Sequence, residues 1–286
     1  MPGIKLAKNI GFCSGVRRAI DIVEETLSKS KGKIYSLGAV IHNPEVIKRL
    51  EKKNLRLVNS LDNLEKPATL ILPSHGTPRN ILNTAKKKNL RLIDVTCPYV
   101  SLVQKTCSML HKKGFQVVIV GERRHPEIKA LLDLAPRAEI IEKIKDIKEN
   151  AFSYKKIGII SQTTQARDMF FDVVVRILQK NPLVKEVHIY NTICLDTIRR
   201  QDEAKKLAGS VDTLLIIGSR LSANTKRLFS IGQKINKKTY LVEDQSTALD
   251  KILKKTNNVG LISGASTPQW LVKDIIRKIK NSRKEQ

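Results

Sequence analysis

The sequence predicts an α/β fold: three pseudo-symmetric small α/β units with parallel sheets, sharing a common centre. Three observations predict it. An apolar segment delivers a cysteine straight into an amphipathic helical pattern three times, at Cys13 before SGVRRAIDIVEETL, Cys97 before PYVSLVQKTCSML and Cys194 before LDTIRRQDEAKKLA. A strand ending in glycine then leads to a polar loop, in YSLGAVIHNPE, VIVGERRHPE and IIGSRLSAN, with spacings of 29 residues for Cys13 to His42, 28 for Cys97 to His125 and 28 for Cys194 to Ser222. A third strand ends in a serine-led loop, in LILPSHGTP, GIISQTTQ and GLISGASTP. Self-similarity at a fixed period marks copies of one supersecondary unit. Strands followed by helices build parallel sheets, and ligands of such sheets collect at the carboxyl ends of the strands. Nine loops of three kinds are therefore expected to face a common centre with three thiols, three histidines and several hydroxyls. The competing reading is that three buried cysteines merely fill space. Filling does not require a strand-end position in every unit.

The expected units are residues 1–96, 97–191 and 192–286, with 268–286 available to pack back on the first. The first opens with strand 3–7 and continues through helix 17–27, strand 33–37, helix 44–53 and strand 68–72. Asn43 is a helix N-cap and Pro44 suits the first turn. That places His42 just outside a helix N-terminus, where anions bind. Ser74-His75-Gly76-Thr77-Pro78 repeats the device, with Pro78 opening a helix to residue 88. Strand 90–95 then carries Cys97 into the second unit. There 116–121 is a buried strand, and His125-Pro126-Glu127 puts a histidine before proline at another helix start, with a carboxylate two residues away. The lysine-rich stretch 138–156 reads as surface, and strand 156–161 feeds Gln162-Thr163-Thr164. Strand 185–190 leads through Asn191-Thr192-Ile193 to Cys194 and a charged helix. Strands 212–217, 238–242 and 258–263 follow, then a helix over 268–281 and a frayed basic tail.

The chain has 286 residues, 41% of them hydrophobic, and no apolar run approaching 18 residues, so no membrane span is expected. The N-terminus lacks the apolar core of a secretory signal, which makes a cytoplasmic protein the expectation. Lys and Arg number 53 against 27 Asp and Glu, a formal charge of +26. Such a field attracts anions. The basic residues are nevertheless spread over polar faces, and at 4% aromatics there is no stacking platform for single strands. A solvated basic surface is the reading, with non-specific polyanion affinity behind it and no specific nucleic-acid partner.

Four cysteines with no close pairs do not form a disulfide framework. Spacings of 84 and 97 residues exclude zinc sites built from C-x2-C pairs. Three thiolates suit a soft metal centre, zinc or iron–sulfur, and three ligands leave one position open. Cys107 lies ten residues along the helix from Cys97, about 15 Å at 1.5 Å per residue, and reads as core.

The motifs GFCSGV, VIHNPEV, SHG, DVTCP, HPE, QTT, TIC…RQ, SAN and GAST together resemble the 4-hydroxy-3-methylbut-2-enyl diphosphate reductase family of the methylerythritol phosphate pathway, over Lys5 to Val272. The resemblance implies a trefoil around one 4Fe-4S cluster per chain. Cys13, Cys97 and Cys194 would hold three irons and the substrate hydroxyl the fourth. It implies Glu127 as the proton source, His125 as a diphosphate contact in the proton path, and Thr163 holding the hydroxyl end of the substrate. His42, His75, Ser222, Asn224 and Ser266 would bind the diphosphate. Two-electron reductive dehydroxylation would release water and give isopentenyl and dimethylallyl diphosphate, with electrons from a donor such as ferredoxin or flavodoxin. His111 and His188 fall outside the repeated loops and read as structural or solvated. The chain departs from the family at Leu221-Ser222-Ala223-Asn224, where N-S-S-N is usual, at Ala130, where glycine is usual, and in carrying Arg123 and Arg124 beside the active loop. Two other readings stand beside this one: an iron–sulfur reductase of the same scaffold with an altered substrate, and a non-catalytic polyanion-binding protein.

Overall fold

A computed structural model of the protein describes residues 3–30, 32–62, 64–65, 67–147, 155–244, 249–253 and 256–281. The expected tail 282–286 and the part of the lysine-rich stretch at 148–154 lie outside the described residues. In chain order the elements are β1 (Ile4–Leu6), α1 (Ser14–Lys29), β2 (Lys33–Leu37), α2 (Pro44–Glu51), β3 (Leu55–Val58), β4 (Ala68–Leu72), α3 (Arg79–Lys87), β5 (Arg91–Asp94), α4 (Pro98–Lys112) and β6 (Gln116–Val120). They continue with α5 (Pro126–Leu134), β7 (Glu139–Ile141), a 3-10 turn (Ile144–Asp146), β8 (Lys156–Ser161), α6 (Arg167–Lys180), β9 (Glu186–Ile189), α7 (Leu195–Ala208) and β10 (Thr213–Ile217). The last elements are α8 (Ala223–Ile235), β11 (Thr239–Val242), α9 (Leu249–Leu253), β12 (Val259–Ser263) and α10 (Gln269–Asn281).

The strands form three four-stranded sheets, ordered β3-β2-β4-β5, β7-β6-β8-β9 and β11-β10-β12-β1, and every pairing is parallel. Each sheet has the same plan. Two inner strands end in the polar and the serine-led loops, both outer strands are short, and one of the outer strands delivers a cysteine. That plan corrects the expectation for the N-terminus. Strand 3–7 does not join the first sheet; β1 pairs with β12, with Ile4 opposite Val259 and Leu6 opposite Leu261. The repeat is cyclic: the strand that brings in each cysteine closes the preceding sheet, so the last sheet is closed by the first strand of the chain.

The sequence reading assigns no element to 55–58, 139–141, 167–180, 223–235 or 249–253. The two missed strands are short outer strands, LRLV and EII, too brief for a period to show. In α6 the run VVV beside two phenylalanines suits a strand as well as a helix, since β-branched residues are stiff at χ1. Its buried residues Phe170, Val173, Val174 and Ile177 recur at helical spacing.

The chain forms two compact units. Met1–Arg17, Ile41–Arg49 and Leu195–Gln286 make one, and Arg18–Val40 with Leu50–Cys194 the other. In the first, alternation along buried strands divides two cores. Leu215, Ile217 and Leu261 pack with Leu271, Ile275 and Ile279 of α10, whereas Leu214, Ile216 and Ile262 pack with Ala204 of α7 and Leu228 of α8. Burial of each such side chain contributes about 1.5–3 kcal/mol. Both faces of the sheet are thus spent on packing, and the carboxyl-end loops are left for chemistry. In the second unit β6 reads QVVIV and is buried throughout, with Val117 and Ile119 against Val103, Leu110, Ile128 and Leu131.

Candidate active site

Three equivalent hydrogen bonds seat the three cysteines. The backbone N–H of Cys13 donates to Ala265 O at 3.0 Å, that of Cys97 to Ser74 O at 2.9 Å, and that of Cys194 to Thr163 O at 3.0 Å. Each acceptor lies two residues past the end of its strand, β12, β4 or β8. Each cysteine immediately precedes a helix: α1, α4 or α7. Cys97 is the N-cap residue of α4, and Cys13 Sγ accepts the N–H of Val16 at 3.4 Å. Helix N-termini favour negative charge, which suits thiolate. All three are partly exposed, whereas Cys107 is fully buried. Burial pushes the Cys107 thiol up to about 12, and its Sγ lies 3.7 Å from Leu131 O, so it is inert core as expected.

In the second unit, contacts run unbroken from one cysteine to another. Cys97 is tied to Ser74, and the next residue, His75, meets His125 edge to face, with ring centroids 6.4 Å apart and planes at 73°. His125 is the N-cap of α5, its Nδ1 accepting the N–H of Glu127 at 3.2 Å. The acceptor role leaves the proton of the neutral ring on Nε2. Glu127, only 2% exposed, accepts at Oε1 from the Thr163 N–H (2.7 Å) and at Oε2 from Thr163 Oγ1 (2.8 Å). Thr163 O in turn holds Cys194. Burial pushes the Glu127 carboxyl up to about 7, against the two Thr163 bonds that favour the ionised form. A carboxyl poised near neutrality can give up and recover a proton at working pH. Gly76 makes the His75 loop possible: its φ is +86°, and a Cβ there would sit 2.4 Å from Gln104 Nε2.

In the first unit, Ser266 Oγ donates to His42 O at 3.3 Å, and Asn43 Nδ2 donates to Ser266 O at 2.9 Å. Asn43 Oδ1 accepts from the N–H groups of Glu45 and Val46, so Asn43 caps α2 as expected. Ser222 caps α8, accepting the N–H of Thr225. The residue spacings pair His42 with His125 and Ser222. In the structure the capping residues Asn43, His125 and Ser222 correspond, and His42 stands one residue ahead because its loop is longer. Asn224 is 2% exposed, and neither Oδ1 nor Nδ2 has a hydrogen-bond partner within the protein. An unsatisfied buried amide costs about 1–3 kcal/mol, which a bound anion and its water would recover. The two loops here pack tightly: a Cβ on Gly264 would lie 2.0 Å from Thr225 Oγ1.

Sequence reasoning gave Arg200 no role beyond its place in the TIC…RQ motif. It lies on α7, is 1% exposed, and its guanidinium donates to Asn9 O (2.8 Å), Gly11 O (2.9 Å) and Ser263 O (2.9 Å), with Asp196 Oδ2 at 2.7 Å balancing its charge. Glu203, one turn on, accepts from the backbone and side-chain N–H groups of Asn9. The helix that starts after Cys194 thereby braces the Asn9–Gly11 segment leading to Cys13. The signal was the pairing of Asp196 with Arg200 at i,i+4, which on its own reads as a surface ion pair. His188 bonds Glu186 at 3.0 Å and packs on Phe115, outside the loops, as expected. Among the described residues, no three His, Cys, Asp or Glu side chains are grouped to hold a single metal ion.

Fold and site together define an α/β protein with three cysteines at corresponding strand ends and a buried carboxyl beside one of them. The family model described as LytB protein matches residues 4–280. A curated relative from Aquifex aeolicus (strain VF5), 4-hydroxy-3-methylbut-2-enyl diphosphate reductase, is 39% identical over 284 residues, covering 98% of this chain and 96% of the relative. A relative of the same name from Clostridioides difficile (strain 630) is 34% identical over 280 residues, covering 97% and 99%. Among solved structures, the E-1-hydroxy-2-methyl-but-2-enyl-4-diphosphate reductase of Plasmodium falciparum superposes with a TM-score of 0.91 at 30% identity, covering 97% of this chain and 87% of that one. An (E)-4-hydroxy-3-methyl-but-2-enyl diphosphate reductase, described as the terminal enzyme of the non-mevalonate pathway, superposes with a TM-score of 0.71 at 37% identity, covering 98% and 100%. The chain belongs to the LytB family.

Proposed function

We propose that this chain is a 4-hydroxy-3-methylbut-2-enyl diphosphate reductase acting in the cytoplasm. The reaction takes the allylic alcohol, two electrons and two protons to the deoxygenated diphosphate and water, and the products are isopentenyl and dimethylallyl diphosphate. The observation that carries this reading is the buried Glu127 carboxyl, set near neutrality and bridged to both the N–H and the hydroxyl of Thr163.

A 4Fe-4S cluster fits the donor set: three partly exposed thiols at corresponding strand ends, each at a helix N-terminus. Cys13, Cys97 and Cys194 would each hold one iron. When bound, the cluster supplies single electrons and one Lewis-acidic iron without a protein ligand. The remaining work falls to the side chains of this chain. Thr163 Oγ1 holds the hydroxyl end of the substrate beside the Glu127 carboxyl. Glu127 carries the proton that leaves with water, and His125, fixed by its cap bond, relays its replacement. His42, His75, His125, Ser222, Asn224 and Ser266 bind the diphosphate, with the orphaned amide of Asn224 satisfied by phosphate oxygen. The +26 charge steers the dianionic head inward. The electrons come from an external one-electron carrier such as ferredoxin or flavodoxin.

The test is anaerobic turnover of the allylic diphosphate by reconstituted protein, with reduced methyl viologen as donor. Formation of both isopentenyl and dimethylallyl diphosphate is expected. Reconstituted, iron-loaded protein that leaves the substrate intact would refute the assignment.

A further inference from the structure

Besides the loops, the second unit carries an open groove of about 670 Å³ between α3, α4 and α5. Four cations line it, Arg79 of α3 with Lys105 and Lys112 of α4 and Lys113 just after it, and among the described residues no acidic side chain does. All four are exposed. Beside it, Asp133 accepts the backbone N–H of Arg79. The floor is apolar, including Met109 and Leu134. Thr77, 9% exposed, also lines the groove, and its buried Oγ1 has no partner within the protein.

The position of the groove matters as much as its charge. Ser101 and Gln104 line its inner end, four and seven residues after Cys97 on one helix, a rise of about 6 and 10 Å at 1.5 Å per residue. Gln104 packs against Gly76, and Thr77 follows in the same loop, whose Ser74 carbonyl holds the N–H of Cys97. The groove therefore follows α4 from about one turn after Cys97 to the end of that helix. Reduction of the substrate takes two electrons that the polypeptide cannot store, so a reductant must come to the surface near such a thiol.

We propose that this groove is the docking face for an acidic one-electron carrier protein. The inference rests on the reductase reading and names where its electron donor binds. Acidic side chains of the carrier pair with Arg79, Lys105, Lys112 and Lys113, apolar contact falls on Met109 and Leu134, and a hydroxyl or carboxylate of the carrier satisfies Thr77. Each encounter oxidises one reduced carrier and passes one electron toward the Cys97 end of α4, and the oxidised carrier departs. Two encounters supply the two electrons of a turnover.

The experiment compares holoenzyme carrying Lys105→Glu and Lys112→Glu with holoenzyme carrying the same reversal at two exposed lysines of the first unit, Lys206→Glu and Lys237→Glu. Each is driven either by a reduced two-iron ferredoxin of net negative charge or by dithionite-reduced methyl viologen. Reversal of rim charges acts on association, so the groove pair is expected to raise KM for ferredoxin about tenfold or more. Its kcat and its viologen-driven rate stay at the unaltered level, and the control pair changes KM less than about twofold. Equal KM effects from both pairs, or none from the groove pair, would overturn the docking face while viologen-driven turnover upheld the reductase reading. If the groove pair instead weakens duplex-oligonucleotide binding and leaves ferredoxin kinetics unchanged, the groove is a polyanion seat and the proposal falls. Absence of viologen-driven turnover in the unaltered protein would sink the reductase reading and this proposal with it.

Discussion

At the scale of single residues, the proposed role of Glu127 as proton source rests on where it is buried. Its two Thr163 hydrogen bonds favour the carboxylate, yet desolvation outweighs them and sets it near 7. Glu127→Gln keeps the shape and both Thr163 contacts but has no proton to give. Turnover is expected to fall about 10²–10⁴-fold while the iron content holds; unchanged turnover would remove Glu127 from the proton path. The raised value also ties stability to pH. A carboxyl at about 7 folded and near 4.5 unfolded binds its proton more tightly in the folded chain between those values. Its contribution is present below pH 4.5 and is lost as pH rises through 7. The melting temperature of Glu127→Gln should therefore gain on the unaltered protein between pH 5 and pH 8. A difference independent of pH would contradict the buried, near-neutral carboxyl.

Helices and strands explain why so much of the site was legible. A cysteine between a strand and a helix, a histidine or serine beside a helix cap, and a serine-led loop each leave a local mark in sequence. The structure places Asn43 and His125 at helix starts as those marks imply, and it puts Ser222, for which the sequence reading gave only a polar loop, at a third. What was illegible depends on partners distant in the chain. Nothing in IKL says that it pairs with Val259–Leu261. Nothing near Arg200 says that its guanidinium reaches carbonyls 191 and 189 residues away. Arg200→Met would leave Asp196 charged, half-buried and without its cation, with three carbonyls deprived of their donor. Breaking a buried pair of this kind costs about 3–5 kcal/mol, to be read as a lowered midpoint in urea unfolding. The loosened Asn9–Gly11 segment should also raise the alkylation rate of Cys13 in cluster-free protein relative to Cys97. A midpoint within error of the unaltered protein would make Arg200 a bystander.

For the molecule as a whole, three parallel sheets of one plan turn nine strand ends to the same kinds of loop, and the family relationship runs through nearly all of the chain. The +26 charge belongs to this scale, since it is a field and not a motif. Any affinity for duplex DNA should fall steeply, by about 10³–10⁵ between 50 and 200 mM salt if six to ten phosphates are contacted. Affinity that persists at 200 mM would restore a nucleic-acid role.

On the proposed reading, Cys13, Cys97 and Cys194, and not Cys107, hold one cluster. Anaerobic iron and acid-labile sulfide per chain, measured on the unaltered protein and on the four single Cys→Ser variants, tests it most directly. About four of each are expected in the unaltered protein and in Cys107→Ser, with the cluster lost from each of the other three. Full iron and sulfide in Cys194→Ser, or their loss in Cys107→Ser alone, would contradict it.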